Sequence, residues 1–447
     1  MAGTQDPRTV STKLRRIAEV ARVNREQPLT NLAHHIDYEW LLEAHARTRK
    51  DGATGVDGLG ADDYARDLEG NLRSLLERFK SGTYRAPPVR RVHIPKGDGS
   101  KTRPIGIPTF EDKVLQRAVV MALNEVYEQA FLDCSYGFRP GRSQHMAIEA
   151  LWKGLMKMGG GWVLEVDIKA YFDSLDHAHL RAILDKRVRD GVLRRMIDKW
   201  LKAGVWEEGV LARSEEGSPQ GGVISPLLAN IYLHDVLDVW FANDVIPKLR
   251  GPAFLIRFAD DFVIVCKHEE DVRQIFDVLP KRFGKFGLTI HPEKTKIVRF
   301  KCPRKNSEGK GTDEDGEPPE TFDLLGFTHY WGRSKKGNWV VRRKTAASRF
   351  RRTLKAISDW CRQNRHLRIS EQHDTLCKKI NGHMNYYGIT HNVRAIADWI
   401  QEVRRIWKRW LGRRAQHSRM SWARFGRILE HCPLPGPRIP KSAVRVS

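Results

Sequence analysis

Six cysteines in 447 residues, at 134, 266, 302, 361, 377 and 432, never occur as a Cys-x-x-Cys pair. That excludes a disulfide framework and a cysteine-ligated zinc module, and it predicts an intracellular chain with reduced thiols. Long apolar runs are also missing. A membrane-spanning helix needs about 20 mostly apolar residues, whereas the longest runs here have the length of a strand. The first residues, Met1-Ala-Gly-Thr-Gln-Asp6, lack the apolar core of a signal peptide. Acidic residues are in deficit: 54 Asp+Glu against 78 Lys+Arg leave a formal charge of +24. A globular chain this basic handles a polyanion, with nucleic acid the first candidate and a membrane surface the second. No basic amphipathic helix stands apart to serve the second. What is present is ordinary for a globular protein. Hydrophobic residues make up 40% and charged residues 30%, so a sizeable core can form, and the length allows two or three domains.

Two adjacent carboxylates, Asp260 and Asp261, interrupt the apolar runs Phe254–Phe258 and Phe262–Cys266. The pattern reads strand–turn–strand with the acids at the tip. It fits a solvated turn, or a carboxylate pair that a cation neutralises beside apolar strands. A second carboxylate of interest is Asp167, at or near the end of the strand that begins at Trp162 and before a helix over 175–188.

Other segments frame these. Residues 1–50 are basic and helical in pattern, with Leu14, Ile17 and Val20, then Trp40, Leu41 and Ala44, at helical spacing. A glycine-rich loop, 47–58, is either a turn or a backbone approach to phosphate. After a helix around 72–79, two short basic strands flank Gly97-Asp-Gly-Ser100 and carry Lys96 and Arg103. They form a solvated hairpin or a flap that grips triphosphate oxygens, for which the Arg fork is well shaped. A long helix is predicted over 111–131. The loop Ser135–Arg142 mixes aromatics with Arg139 and Arg142, a combination suited to stacking on bases while holding phosphates, or to an aromatic-anchored turn.

The glycine- and proline-rich segment 217–226, containing Gln220, permits close backbone approach to a ligand and precedes a helix over 227–240. A helix over 269–286 and a strand over 289–300 bearing Lys294 and Lys296 follow. Residues 304–320 are expected as a flexible polar loop, 322–330 as an apolar strand, and the chain from about 335 as helical. Residues 401–447 hold twelve Lys/Arg against two Asp/Glu, interleaved with Trp407, Trp410, Trp422 and Phe425. That excess favours RNA or DNA contact, with Lys408, Arg409, Arg413 and Arg414 as candidates.

Nucleotidyl transfer requires two divalent cations about 4 Å apart, clamping the attacking 3′-oxygen and the leaving pyrophosphate. Magnesium takes a few carboxylates and completes its shell with phosphate oxygens. One Asp at a strand end and an Asp-Asp hairpin on a neighbouring strand meet that demand, provided the fold closes the 93 residues between Asp167 and Asp260.

The ordered blocks Arg103-Pro-Ile-Gly-Ile-Pro108, Tyr136-Gly-Phe-Arg-Pro-Gly-Arg-Ser143, Val166-Asp-Ile-Lys-Ala-Tyr-Phe-Asp173, the segment 217–233, Arg257-Phe-Ala-Asp-Asp261, Gly287-Leu-Thr-Ile-His-Pro-Glu-Lys-Thr295 and Leu324-Leu-Gly-Phe327 closely resemble the group II intron-encoded reverse transcriptases. Asp51–Gly58 is similar to that family's extra N-terminal block. The segments 381–388 and 433–439 look like its maturase, or thumb, region.

The resemblance covers about residues 30–440 and implies an α+β right-hand polymerase, fingers and palm with antiparallel sheet, followed by an α-helical thumb/maturase domain. The expected division is an N-terminal extension (1–60), a fingers–palm domain (61–332), a helical thumb (333–412) and a basic C-terminal segment (413–447). Carried over by position, the resemblance implies Asp167, Asp260 and Asp261 as the catalytic, metal-holding triad, with Asp261 the less direct ligand. Phe172 would exclude a ribonucleotide 2′-hydroxyl, Lys96 and Arg103 would hold the triphosphate, and Gln220 would pack under nucleotide and template. The backbone amides of Ala170 and Phe172 would touch phosphate.

It further implies two Mg2+ ions, with Mn2+ as a substitute, and an intron RNA template, DNA primer and dNTPs in a bacterial cytoplasmic ribonucleoprotein. Two departures stand out. Phe258 replaces the tyrosine frequent before Ala-Asp-Asp, and no His-Asn-His nuclease follows residue 413, so second-strand cleavage by this chain is not expected. A splicing cofactor with incidental polymerase activity, and a polymerase domesticated for DNA repair or phage defence, are the competing readings.

Overall fold

The computed structural model describes residues 9–96, 101–207, 210–212, 221–305, 311–312, 318–414 and 420–439. Within these ranges the side chains of Lys96, Lys101, Leu211 and residues 304, 305, 311 and 312 are left undescribed. The chain folds into two compact units: residues 1–151 with 162–297, and residues 152–161 with 298–447.

The first unit opens with helices α1 (Val10–Val23), α2 (Tyr38–Arg47), α3 (Ala61–Ala65) and α4 (Leu68–Ser81). Their starts follow from local chemistry. The side chains of Thr9, Asp37 and Asp67 each accept a backbone N–H of the first turn, satisfying donors that a helix leaves free. Gly82, at φ 78°, ends α4 in the left-handed conformation that glycine adopts without penalty. Trp40, Leu41 and Ala44 are fully buried as the spacing predicts, and the Trp40 indole donates to the Ala118 carbonyl at 3.0 Å. Val20 differs: it is exposed, while Ile17 and Ala21 carry the buried stripe of α1. The loop 47–58 is held by Arg90 and Lys113, which donate to its carbonyls at Thr54 and Ala53. Its glycine requirement is met at Gly55, where a Cβ would lie 2.6 Å from the Thr109 backbone.

Strands β1 (Val89–Lys96) and β2 (Lys101–Ile107) pair antiparallel, Ile94 opposite Arg103, and β1 also pairs with β4 (Val205–Glu207), itself joined to β5 (Val210–Ala212). After β2 the chain enters the long helix α5 (Phe110–Tyr127), which packs on α1, α2, α3 and the later helix Ser225–Leu233 and is buried round most of its circumference, as suits the central element of a core. The sheet that matters for chemistry has the order β6-β7-β3-β8: β3 (Gly160–Val166), β6 (Ala253–Phe258), β7 (Asp261–Cys266) and β8 (Lys296–Lys301), the last being where the chain passes into the second unit. β7 is antiparallel to both neighbours, with Phe258 opposite Asp261 and Val166 opposite Phe262. Phe262, Val263, Ile264, Val265 and Cys266 are all buried. That is why β7 is a continuous apolar run, each large side chain contributing roughly 1.5–3 kcal/mol on burial. Helices α6 (Gln144–Met158), α7 (His177–Asp185), α8 (Gly191–Leu201), α9 (Ser225–Leu233) and α10 (Glu269–Gly284) complete the set.

Several expected elements are adjusted. The helix over 227–240 is α-helical only to Leu233 and continues as π-helical turns to Val245. The strand expected over 289–300 begins at Lys296, because His291 through Thr295, with Pro292 lacking an N–H, form a hydrogen-bonded turn. Residues 304–305 and 311–312 pair as β9 and β10; the rest of the expected flexible loop, apart from 318–320, lies outside the described residues.

The second unit carries the sheet β11 (Phe322–Leu324), β12 (Phe327–Arg333) and β13 (Trp339–Thr345). The single strand expected over 322–330 is therefore two, joined through Leu325 and Gly326, both at positive φ. Helical structure begins at α11 (Ala347–Gln363), not near 335, and continues with α12 (Ile369–Tyr387), α13 (Val393–Leu411) and α14 (Trp422–His431). The sheet and the helices share one core. Asn392 accepts the Thr345 N–H at 2.8 Å and donates to the Tyr387 carbonyl at 2.8 Å, and the Phe327 ring stacks on Tyr386. This shared packing is why the unit boundary falls at 297/298, ahead of the expected 332/333. No helix among the described residues is long and apolar enough to cross a membrane.

Candidate active site

The β-register brings the distant carboxylates together. Val166 pairs with Phe262, so Asp167, the residue after Val166, leaves β3 beside the point where Asp261 starts β7. Asp260 sits in the two-residue turn between β6 and β7, preceded by Ala259 at φ 58°. Burial pushes the Asp260 carboxyl above its ordinary range; the neighbouring Asp167 charge adds to this, while the turn's backbone N–H, Arg103 and Arg257 pull the other way. Asp261 is exposed. Successive residues entering a strand face opposite sides, and among the described residues no group of three or more Asp, Glu, His or Cys side chains converges as a metal site. Asp167 and Asp260 lie within electrostatic range of each other, and Asp261 follows Asp260 directly at the start of β7.

The turn itself is held by an element the motif reading passed over. Arg257, in the middle of an apolar strand, is 0% exposed. Its guanidinium donates to both carboxylate oxygens of Asp238 at 2.7 and 2.5 Å, to Asn230 Oδ1 at 2.9 Å, to Ser135 Oγ at 2.8 Å and to the Ala259 carbonyl at 3.0 Å. Burial alone would lift Asp238, yet Arg257 and His234 together outweigh it and hold that carboxyl below the usual range. The last of those hydrogen bonds ends on the peptide preceding Asp260, so a fully buried ion pair sets the position of the acidic tip. The adjoining segment is equally fixed. Tyr136 N–H donates to the Arg257 carbonyl, Arg257 N–H to the Cys134 carbonyl, and Asn230 Nδ2 to the Gly137 carbonyl at 2.5 Å. A Cβ on Gly137 would stand 2.3 Å from the Ala259 nitrogen, so glycine is required there.

Asp167 is clamped from its other side. Its carbonyl accepts the His291 N–H at 2.8 Å, Lys169 N–H donates to the Thr289 carbonyl, and Lys294 Nζ lies 2.6 Å from Asp167 Oδ2. The sequence shows Lys294 as a basic strand residue within the block 287–295 and gives it no role; the turn delivers it to a candidate metal ligand.

The remaining expected residues divide. Arg103 is exposed on β2 within electrostatic range of Asp260. Ala170, exposed at φ 48°, opens the turn after Asp167, its carbonyl accepting the N–H of Asp173 and Ser174. Phe172 is half-buried, 5.5 Å from the Tyr171 ring, whose hydroxyl donates to the Ala229 carbonyl at 2.6 Å. Gln220 and the side chain of Lys96 lie outside the described residues. Arg139 is a correction: expected on RNA, it is 6% exposed and donates to Glu128 and to the carbonyls of Leu132 and Ser135, so its charge serves the fold. Arg142 pairs with Asp133 at 2.6 Å and lies over the Tyr136 ring.

In the second unit α13 buries Ile396, Trp399, Ile400, Val403, Ile406, Trp407 and Leu411. That leaves Arg405 and Arg409 exposed and sets Lys408 over the Trp422 ring. Arg413 and Arg414 are exposed beyond its end, Arg413 over Trp410 and Arg414 donating to the Leu367 carbonyl.

Comparison with known proteins bears on this geometry. Residues 94–329 match the family described as reverse transcriptase (RNA-dependent DNA polymerase). Protein YkfC of Escherichia coli K12 is 36% identical over 298 residues, covering 58% of this chain and 76% of YkfC. The group II intron-encoded protein LtrA of Lactococcus lactis subsp. cremoris is 37% identical over 228 residues, 50% of this chain and 37% of LtrA. Nuclear intron maturase 2, mitochondrial, of Arabidopsis thaliana is 26% identical over 176 residues, 30% of this chain and 24% of that protein. The chain thus spans about three quarters of the first relative and much less of the other two.

Proposed function

The chain belongs to the reverse transcriptase (RNA-dependent DNA polymerase) family, and from that premise we propose that it copies the RNA of a group II intron into DNA and binds that RNA as a maturase. The observation that carries the polymerase reading is Asp260, pushed up by burial and placed beside Asp167 at the tip of an apolar hairpin. Two carboxylates in that setting fit a hard divalent cation, which needs only one or two protein oxygens when substrate phosphates supply the others. Asp167 and Asp260 would hold Mg2+. When bound, the ions supply charge stabilisation at the attacking 3′-oxygen and the leaving pyrophosphate.

The chain's own contribution is placement. Arg257, through Asp238 and the Ala259 carbonyl, keeps the Asp260 peptide where the hairpin presents it. Arg103, in electrostatic range of Asp260, is suited to holding phosphate oxygens with a planar fork. Lys294 neutralises Asp167 from the side opposite the hairpin strands. Phe172 follows Asp167 at the spacing expected of the residue that rejects a ribose 2′-hydroxyl. For the maturase role the support is the basic solvent face of α13 with Lys408, Arg409, Arg413 and Arg414.

Asp260→Asn separates the two activities. It is expected to abolish primer extension on an RNA template while intron RNA binding and assisted splicing persist. Full extension activity in the variant sinks the polymerase site; loss of RNA binding along with extension sinks the two-function reading.

A further inference from the structure

Phe138 is a large apolar side chain 60% exposed, between neighbours that are fixed and buried. Its backbone is at φ 56°, the left-handed region that a phenylalanine rarely adopts. Such a conformation persists only where the surroundings over-determine it, and here they do. Gly137 is pressed against the Ala259 nitrogen, Arg139 is anchored to Glu128 and two carbonyls, and Tyr136 is bonded to Arg257. The Phe138 ring then stands 6.4 Å from Phe258, the last residue of β6 before the acidic turn. The fold therefore strains its backbone to hold an aromatic face in solvent next to the candidate metal ligands.

Sheet order says what that face meets. β7 lies between β3 and β6, so Asp167, Ala170 and Phe172 flank the turn on the β3 side and Phe258 with Phe138 flank it on the edge-strand side. In the polymerase reading, on which this inference rests, the incoming nucleotide occupies the side of Arg103, Ala170 and Phe172. The other partner in the reaction, the strand bearing the attacking 3′-hydroxyl, is left for the β6 side. We propose that Phe138, with Phe258, is a positioning platform for the 3′-terminal nucleotide of the DNA primer, stacking on its base or sugar and holding the 3′-hydroxyl toward Asp260. Aromatic stacking suits this position because every base has a π-face and the growing end changes identity at each step.

The test is steady-state primer extension on an RNA template with Phe138→Ala and Phe138→Tyr, together with photocrosslinking. Phe138→Ala is expected to raise the KM for primer–template about 10-fold, the scale of one lost base stack. The KM for dNTP and the thermal midpoint should be unchanged, since the side chain is exposed. Phe138→Tyr should restore the wild-type KM. A primer ending in 5-iododeoxyuridine is expected to crosslink to residue 138, in wild type and equally in Asp260→Asn, which reports contact independently of catalysis. An unchanged primer–template KM, a shift confined to dNTP, or a crosslink mapping away from residues 138 and 258 overturns the platform. An active Asp260→Asn overturns the polymerase site instead, leaving the crosslink to decide on Phe138 by itself.

Discussion

Replacing Asp238 by alanine tests whether a buried ion pair positions the acidic turn. Arg257 and Asp238 both have 0% exposed side chains, and Arg257 reaches Asn230, Ser135 and Ala259 besides its carboxylate. Asp238→Ala leaves a guanidinium in the core with neutral acceptors and no counter-charge. Removing one partner of a fully buried pair costs about 3–5 kcal/mol. For a unit of this size each kcal/mol moves the melting temperature by roughly 2–4 °C, so a drop on the order of 10 °C is expected by differential scanning fluorimetry. The activity loss should outrun the stability loss. At a temperature where the variant is folded, freedom of the Ala259 peptide displaces Asp260, and misplacement by about 1 Å costs roughly 100-fold in rate. The double variant Asp238→Leu/Arg257→Met separates the two effects, because well-packed apolar residues can replace a buried pair with little loss. It is expected to regain the melting temperature but not kcat. A double variant with wild-type kcat would show that the pair is scaffold only, and a stability loss below about 1 kcal/mol in Asp238→Ala would refute the burial argument.

Acid should weaken the second unit. Burial first, then Arg343, holds the His329 pKa down to about 3 against 6.5 for a free imidazole, outweighing the backbone of Phe322 and Phe327, which pulls the other way. Between those values the unfolded chain takes up a proton that the folded chain refuses. Stability complete above pH 6.5 is therefore lost as pH falls, by about 1.4 kcal/mol per pH unit. His329→Phe, which keeps the stack on Phe322, is expected to flatten the melting-temperature profile between pH 6.5 and 4; a profile parallel to wild type would falsify this. Gly137→Ala, whose Cβ would clash with the Ala259 backbone, is expected to lower primer extension at least 10-fold by shifting the turn, as rates depend steeply on placement. Unchanged kcat would mean the loop and the hairpin move independently.

The chemistry-bearing residues were legible because polymerase motifs are local. Asp260-Asp261 between two apolar runs and Asp167 after a strand are visible as spacing, and the amphipathic stripe of α13 is visible as period. Arg139 misled for the opposite reason: an arginine among aromatics reads the same whether it faces a phosphate or Glu128, and only burial distinguishes them. Lys294 looked like a strand residue because the turn around Pro292 is set by hydrogen bonds to Asp167, which sequence spacing does not display.

By itself, the sequence displayed the ordered blocks that resemble the reverse transcriptases, with Asp167 and Asp260-Asp261 among them, and its excess of basic charge pointed to a polyanion. Tertiary structure alone decided that these carboxylates meet, because the antiparallel register sets Asp167 beside the Asp260-Asp261 turn. It also decided what holds them. An arginine buried in β6 needs a counter-charge, and Asp238, on a helix 19 residues upstream, becomes that counter-charge only when the core closes. Pairing across a fold is a property of three-dimensional distance, on which electrostatics depends and about which linear spacing is silent.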